Sequence, residues 1–336
     1  MKTSERDLFS RLAQSRRVLV GLVLLGTLTL IGVFAEVIAS PAPIVAFGHG
    51  EVALFPGIMR PESYEALTRA EIDQRHDGDM LLWPLVRYGP IAPTEAGPNA
   101  AVSTAHPLGT DAVGRDLLAR LVYGARTALG LSLPAVLLGM ILGVGLGGLA
   151  GILRGFWNER LVRLVETVDT FPAIIVVALV RAIEREPSAL SLVIAVALVR
   201  WAEVARLVRA EVLHASSNEY VLAARAIGAS PLRIFFRHVL PSAVAPAIMS
   251  SATGVASVVL LEAAMSFLHM GAPSRVASWG ETLAEGAGDP SRLRLILLPG
   301  LLLLITVGSS YMLADAVRDA IDPRSPNARP RPGEAP

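Results

Sequence analysis

Long apolar runs, separated by segments that carry charge, set the pattern of this chain. A helix needs about 20 apolar residues to cross a hydrocarbon core about 30 Å thick. The uncharged windows that meet or approach this length are 18–35, 127–153, 239–261 and 295–314. Two further apolar segments, 170–180 and 187–199, are shorter between charges. We therefore predict six transmembrane helices, near 18–39, 125–152, 162–182, 188–209, 242–267 and 294–317.

Basic residues are distributed unequally among the loops between these helices. With the N-terminus in the cytoplasm, the inner segments 1–17, 153–163, 205–241 and 317–336 hold 17 arginine and lysine residues. The long outer segment 40–127 holds seven basic and ten acidic residues. Because positive charge is concentrated in cytoplasmic loops, the pattern predicts that both termini lie in the cytoplasm. Five or seven crossings would place the two Arg-rich ends on opposite sides.

This topology divides the chain into five parts. They are a cytoplasmic tail 1–17, a first transmembrane helix 18–39, an extracytoplasmic insertion with an interfacial helix 40–124, a five-helix core 125–317 with a cytoplasmic loop 210–241, and a cytoplasmic tail 318–336. Residues 109–126 are amphipathic, which predicts a helix lying in the interface before the second span. The first apolar stretch exceeds the about 7–15 residues of a signal-peptide core, which favours a retained helix.

Composition and motifs give no support for several kinds of binding or catalytic site in this chain. Hydrophobic residues make up 53% of 336 residues, and the net charge of +1 gives no reason to expect a nucleic-acid partner. Cysteine is absent, and no spacing of His, Asp or Glu predicts a metal site. The GxSxG motif of serine hydrolases does not occur, so the sequence predicts no catalytic serine. Lys2 is the only lysine and has no glycine near it, so the sequence contains no P-loop.

Four glycines recur every four residues within the second predicted span, at Gly139, Gly143, Gly147 and Gly151. This spacing places them on one helix face, where another backbone can approach closely. A sliding or gating contact and ordinary helix packing are both consistent with this pattern, and ordinary packing is the commoner of the two.

The stretch 216–241, SSNEYVLAARAIGASPLRIFFRHVLP, lies on the predicted cytoplasmic side. Ser216 with Glu219 predicts a capping box at the start of a short helix, and Gly228 predicts its left-handed end. Pro231 predicts the first position of a second helix, which ends where the next span begins. Apolar and aromatic groups would project from the membrane, and such a patch is typical of a docking surface.

This stretch resembles the cytoplasmic loop of binding-protein-dependent ABC permeases. The family pattern is Glu-Ala-Ala, three residues, Gly, nine residues, Ile, one residue and Leu-Pro. The matching residues are Ala223, Ala224, Gly228, Leu240 and Pro241. Leu222 replaces the family Glu, a change that is less usual. His238 replaces the Ile, as is usual in the peptide-transporter branch.

The resemblance covers most of the chain from 106 to 324. HPLGTDAVGRDLLARLVYGAR at 106–126, VDTFP at 168–172, EAAMSFLHMG at 262–271, SWG at 278–280 and AVRDAIDPR at 316–324 are similar to segments found in this order in the C-type permeases of dipeptide, oligopeptide and nickel importers. LLWPLVRYG in the insertion is similar to the microcin C/peptide importer branch.

The resemblance implies an all-α, type I ABC importer permease fold in the inner membrane, without a cofactor of its own. The implied partners are a second permease subunit in a heterodimer, two ATP-binding subunits that hold ATP and Mg²⁺, an extracytoplasmic substrate-binding protein and membrane lipid. The residues implied in coupling to the ATPase are Glu219, Tyr220, Ala223, Ala224, Ile227, Gly228, Leu240 and Pro241. Tyr220, Ala224, Ile227 and Phe235 would be the apolar anchors of a helix docked in a groove.

Asp169 and Glu262 are the predicted translocation-pathway residues, because ionisable groups inside a membrane are costly and usually functional. The alternative for Asp169 is a solvated group near a helix end, and for Glu262 a buried structural hydrogen bond. Arg200 and Glu203 are spaced to form an ion pair (i, i+3).

Two other classes of protein stay open at this point. A secondary transporter would show broken, repeated helices with charges at the midplane. A membrane-anchored assembly protein would not depend on an ATPase. The sequence leaves the substrate open among peptides, nickel chelates, glutathione and peptide antibiotics, and it leaves open the fold and role of residues 40–105.

Overall fold

Helices dominate the structure, a computed structural model that describes residues 16–48, 51–59, 69–76, 80–153, 155–184, 188–271, 276–289 and 291–321. The predicted tails 1–17 and 318–336 therefore lie largely outside the described residues. The elements in chain order are α1 (Arg16–Val33), α2 (Ala35–Ile38), β1 (Val45–Gly48), β2 (Glu51–Leu54), α3 (Pro56–Met59), α4 (Arg69–Arg75), β3 (Met80–Leu82), α5 (Leu117–Ile152), α6 (Phe156–Thr170), α7 (Ala173–Ile183), α8 (Ala189–Ser216), α9 (Glu219–Ala226), α10 (Pro231–Ile234), a π-helical turn (Phe235–Val239), α11 (Leu240–Phe267), α12 (Trp279–Ala287) and α13 (Leu293–Ile321).

Among the described residues, four helices are long and apolar enough to cross a membrane. They are Arg16–Val33, Leu117–Ile152, Phe235–Phe267 and Leu293–Asp319. These four helices coincide with the first, second, fifth and sixth predicted spans, which are confirmed as long apolar helices. α8 is also long, at 28 residues, but Arg200, Glu203 and Arg206 fall within its apolar stretch.

The third predicted span, 162–182, is wrong as a single helix. α6 ends at Thr170 and α7 begins at Ala173. Between them Phe171 is extended, with φ −81° and ψ 127°, and Pro172 follows. A proline disfavours helical backbone at the residue before it and has no N–H to continue the hydrogen-bond ladder. The two short helices together cover the length of the predicted span.

Close packing of α5 on α8 forms the centre of the bundle. Gly139 lies against Arg200 and Trp201, and Gly147 lies against the backbone of Ala205. The glycine face is therefore a site of close helix contact. α11 packs against both α5 and α8, and α1 and α13 pack together on the other side of α5.

The separate interfacial helix predicted within 109–126 is wrong. α5 begins at Leu117 and continues without a break into the apolar stretch. The carboxylate of Asp116 caps its first turn by accepting a hydrogen bond from the Ala119 N–H at 2.8 Å, and the preceding residues form a loop. The amphipathic pattern arises because Leu117 and Leu121 are buried against the bundle, not against lipid headgroups.

The insertion also corrects the all-α prediction. β1 pairs antiparallel with β2 and with β3, in the order β2-β1-β3, so that Val45 lies opposite both Leu54 and Leu82. A polar stretch with scattered Pro and Gly did not show the alternation that marks strands. The rest of the described chain is helical or loop.

Candidate functional site

The segment between α8 and α11 has the predicted helix–turn–helix form, with a different start. Ser216 is the last residue of α8, and its hydroxyl donates to the Val212 carbonyl oxygen at 2.6 Å. Asn218, not Ser216, is the N-cap of α9, so the capping-box prediction is wrong. The turn after α9 is as predicted, because Gly228 has φ +84°, a value that favours glycine.

The second helix of this segment does not stop before the next span. α10 starts at Pro231, and the Ser230 hydroxyl accepts from the Arg233 N–H at 3.4 Å. The chain then passes through the π-helical turn directly into α11. In this turn the Leu240 N–H bonds to the Phe235 carbonyl, five residues earlier. α10 and α11 therefore form one stiff unit.

Burial separates the predicted docking residues into two sets. Val221 and Ala224 are buried in an apolar cluster with Val208, Val212 and Ala243. Ala224 is therefore wrong as an outward anchor, because it fastens α9 to the bundle.

The other predicted docking residues of α9 and its turn are exposed. Ile227 is 86% exposed and Tyr220 49%, and Ala223 is exposed between them. These three residues have i, i+3, i+7 spacing and share one helix face; we call them the coupling face. Phe236 is also exposed, whereas Phe235 packs against Gly148. The sequence analysis had named Phe235, and no local signal distinguishes the two adjacent rings.

The remaining predicted coupling residues frame this face. Glu219 opens α9 and is exposed, and Gly228 is exposed in the turn. Leu240 is half-buried and Pro241 exposed at the start of α11. The structure brings the eight predicted residues into one projecting segment.

Glu262 is buried near the end of α11. One carboxylate oxygen, Oε1, accepts from the Ser266 hydroxyl at 2.7 Å and from the Ser278 hydroxyl at 2.9 Å. The same Ser278 hydroxyl accepts from the Gly280 N–H and caps α12. The EAAMSFLHMG and SWG segments are thereby tied together, and Glu262 points away from the open surface.

Replacing Glu262 separates a hydrogen-bonding role from a charge role. Glu262→Gln keeps an oxygen for both serines, so we expect the free energy of unfolding to stay within about 1 kcal/mol of the wild type. Glu262→Ala leaves two hydroxyls without their acceptor and creates a cavity, with an expected loss of about 2–4 kcal/mol. Thermal unfolding of the purified importer in detergent measures both, with the exposed Ser257→Ala as control. An alanine variant as stable as the glutamine variant would contradict this role.

Asp169 lies at the end of α6 and forms an ion pair with Arg206 of α8 at 3.4 Å. Arg200 and Glu203 form the predicted (i, i+3) pair. Glu203 also accepts from the Ser250 hydroxyl of α11 at 3.0 Å. An ion pair therefore joins α6 to α8, and a hydrogen bond joins α8 to α11.

A network of five charged side chains, which the sequence analysis missed, joins the start of α5 to α12. Arg115 Nε lies 2.6 Å from Asp111, and Arg120 Nη2 lies 3.2 Å from Glu285 and 3.3 Å from Glu281. Arg120 is 1% exposed, although the amphipathic pattern had placed it toward water. Two arginines in one segment and two glutamates at i, i+4 in the other were the available signal.

The charge network predicts a pH dependence. Burial raises the pKa of the Glu285 carboxyl above its usual 4.5, and repulsion from Asp111 and Glu281 raises it further. The arginines Arg120 and Arg115 lower this pKa, but their effect is smaller than the sum of the others. The folded protein therefore binds this proton more tightly than the unfolded chain does. The contribution of Glu285 to stability is full below pH 4.5 and is lost as the pH rises through the folded-state pKa.

Glu285→Gln removes this contribution, so its unfolding temperature is expected to change with a less negative slope than that of the wild type as the pH rises above 4.5. Thermal scans of the purified importer across this pH range measure the slope. The exposed Glu95→Gln serves as control and should keep the wild-type slope. An unchanged slope in Glu285→Gln would count against the pKa assignment.

Several helices of membrane-spanning length in one bundle define the class of this chain as a multi-pass membrane protein. The family model for the "Binding-protein-dependent transport system inner membrane component" matches residues 135–325, and the chain belongs to this family. It is thus a permease subunit of a binding-protein-dependent ABC importer in the inner membrane. Such a permease works with ATPase and binding-protein partners, and the predicted family and function are confirmed.

Relatives share sequence over most of their length. The chain is 36% identical to the di/tripeptide transport system permease protein DppC of Pseudomonas aeruginosa, over 66% of this chain and 73% of that protein. It is 34% identical to the glutathione transport system permease protein GsiD of Pectobacterium atrosepticum, over 67% and 75%. It is 31% identical to the oligopeptide transport system permease protein OppC of Bacillus subtilis, over 65% and 72%. A chain from the MetNI methionine ABC transporter aligns with a TM-score of 0.49 and 18% identity, over 60% of this chain and 96% of that chain.

Proposed function

We propose that this chain forms half of the translocation path of an importer for peptides or related small solutes. It pairs with a second, different permease subunit above two ATP-binding subunits, and it receives solute from an extracytoplasmic binding protein. The names of the relatives, which include di/tripeptide, oligopeptide and glutathione systems, support this substrate class.

The direction of the packed helices supports six crossings. Gly139 lies against Arg200 and Gly151 against Val212, so α5 and α8 run parallel. Two parallel spans require one return crossing between them, which α6 and α7 supply together. α11 runs antiparallel to α8, because Arg200 meets Ser250 while Val208 and Val212 join the cluster of the earlier Ala243.

The orientation that we propose puts the coupling face in the cytoplasm. Both termini then lie inside, and residues 40–124 lie outside as the insertion between the first helix and the core 125–317. The excess of basic residues in the segments that this orientation places inside supports it.

The observation that carries the proposal is the coupling face itself. Ile227 and Tyr220 are exposed on a helix that Val221 and Ala224 fasten to the bundle. A rigid helix with apolar groups at helical spacing suits a groove on a partner protein. When ATP closes the partners, a fastened helix transmits their motion to the spans instead of bending.

Purification of the tagged chain from native membranes tests this function. We expect two ATP-binding polypeptides, a second permease and, in liposomes with the binding protein, solute uptake that requires ATP. Uptake driven by an ion gradient with no ATPase present would instead support a secondary transporter. Recovery of the chain without any ATP-binding polypeptide would support the assembly-protein alternative.

A further inference from the structure

Four charged side chains are grouped on one side of α8. Glu203 and Arg206 lie on the same helix face, which continues through the exposed Ala210. Asp169 reaches this face from α6, and Arg200 borders it. The side chains of Arg206, Glu203 and Asp169 are 62%, 37% and 31% exposed.

The six-crossing topology proposed above places these charges at membrane depth. With a rise of 1.5 Å per residue, Arg200 is about 17 Å and Arg206 about 26 Å below the outer end of α8, within a hydrocarbon core about 30 Å thick. Asp169 is about 21 Å from the outer end of α7 by the same measure. The Asp169–Arg206 contact at 3.4 Å is consistent with this common level.

An exposed charge at this depth cannot face lipid without a large cost, and such groups turn toward protein or water. α8 also has a second exposed face, formed by Leu190, Ile194 and Leu198. That apolar stripe lies about 150° around the helix from the charged face. Leu207 and Leu213 are also exposed and lie beside the charged residues, so the charged face has apolar borders. The exposed charges of Glu203 and Arg206 nevertheless lie on one side of α8, as they do when a helix lines a water-filled passage.

The charged face is a built arrangement and not a set of loose side chains. Arg200 lies over Gly139 of α5 and Gly254 of α11, where its Cβ and its guanidinium approach the two glycines closely. Its Nη2 donates to the Ser250 carbonyl oxygen at 3.4 Å, and the Ser250 hydroxyl in turn donates to Glu203. Two cations and two anions are thereby paired, so the face carries no net charge.

We infer that the face formed by Asp169, Arg200, Glu203 and Arg206 lines a water-filled path along which the solute moves through the inner half of the membrane. We call this face the wall. The ligand class is a zwitterionic peptide main chain. Its carboxylate suits the exposed Arg206 guanidinium, and its ammonium suits Glu203 and Asp169. A wall of paired charges holds such a solute weakly and releases it, which transport requires. This inference rests on the proposed function for its solute.

Cysteine accessibility tests the wall independently of the solute. The chain contains no cysteine, so single Cys variants report without background. In inverted vesicles that contain the complete importer, a membrane-impermeant methanethiosulfonate should label Glu203→Cys about tenfold faster than Leu198→Cys, because the reactive thiolate forms in water and not in lipid. Equal labelling, or labelling of Leu198→Cys alone, would overturn the wall.

A charge swap then tests contact with the solute. Radiolabelled trialanine is the probe, delivered with the binding protein to importer in liposomes. Arg206→Gln should lower uptake at least about fivefold while leaving subunit assembly intact, since it removes the group that meets the carboxylate. The swap Asp169→Arg with Arg206→Asp restores the ion pair, and we expect it to leave uptake low. Full restoration by the swap would show a purely structural pair and overturn the contact.

The two failures are distinguishable. If the cysteine variants label as expected but the wild-type importer takes up no trialanine, the peptide proposal fails and the assignment of the solute class to this face fails with it. If trialanine enters with ATP but the labelling pattern is absent, the proposed function stands and this face is not the path.

Discussion

Ile227→Asp is expected to abolish solute uptake while the chain still folds and inserts. The side chain is 86% exposed, so its loss removes almost no internal contact, and surface changes usually alter stability by less than about 0.5 kcal/mol. At a docked interface, however, the aspartate would be desolvated without a partner. A cost of about 3 kcal/mol weakens ATPase binding about 100-fold. Recovery of the ATP-binding subunits with the tagged chain, together with ATP-driven uptake, measures the effect.

A matched control separates docking from a general effect of an exposed charge. Leu85 in the insertion is 83% exposed, so Leu85→Asp makes the same chemical change on the proposed outer side. It should leave ATPase recovery at the wild-type level. Normal ATPase recovery and uptake in Ile227→Asp would remove Ile227 from the coupling face. Ala224→Glu would be a poorer test, because Ala224 is buried and a charge there would disturb folding.

Gly147→Ala is expected to force α5 and α8 apart. A Cβ at this position would lie 2.7 Å from the Ala205 Cα and closer still to its carbonyl oxygen, and backbone atoms cannot rotate away as a side chain can. Overpacking of this kind costs about 1–3 kcal/mol. We expect a lower unfolding temperature of the purified importer and a loss of assembled protein in the membrane.

The control lies two residues away on the same helix. Gly145 has nothing within 4 Å of the position of a Cβ, and alanine is a better helix former than glycine by about 1 kcal/mol. Gly145→Ala should therefore be neutral or slightly stabilising under the same measurement. If both variants unfolded alike, helix propensity and not helix contact would explain the glycines.

Residues 216–241 show which structural features a local sequence pattern can predict and which it cannot. The turn at Gly228 was predictable because a left-handed residue after a short helix has few solutions, and glycine is the usual one. The start of α9 was mispredicted because Ser216 could cap a new helix or end the old one. α8 continued through Ser216 because its last turns pack, with Val212 and Ala215 buried. A contact with distant residues decided between two locally acceptable structures.

The charged residues show the same division. The (i, i+3) spacing of Arg200 and Glu203 predicted their pairing, since both lie on one helix. The spacing could not pair Asp169 with Arg206, or Arg120 with Glu285, because each pair joins elements far apart in the chain. For Glu262 the predicted alternative, a buried structural hydrogen bond, matches the geometry, but its partner Ser278 was not among the predicted residues.

By itself the sequence determined the place of four long apolar helices, because the thickness of a membrane sets how many apolar residues a helix needs. It also determined the family, through motifs spread over most of the chain. Only the tertiary structure decided which face of α9 is fastened to the bundle, that Pro172 divides a predicted span, and that Asp169 pairs with Arg206. These features depend on contacts between segments that are distant in sequence, and the local periodicity of apolar residues does not predict such contacts.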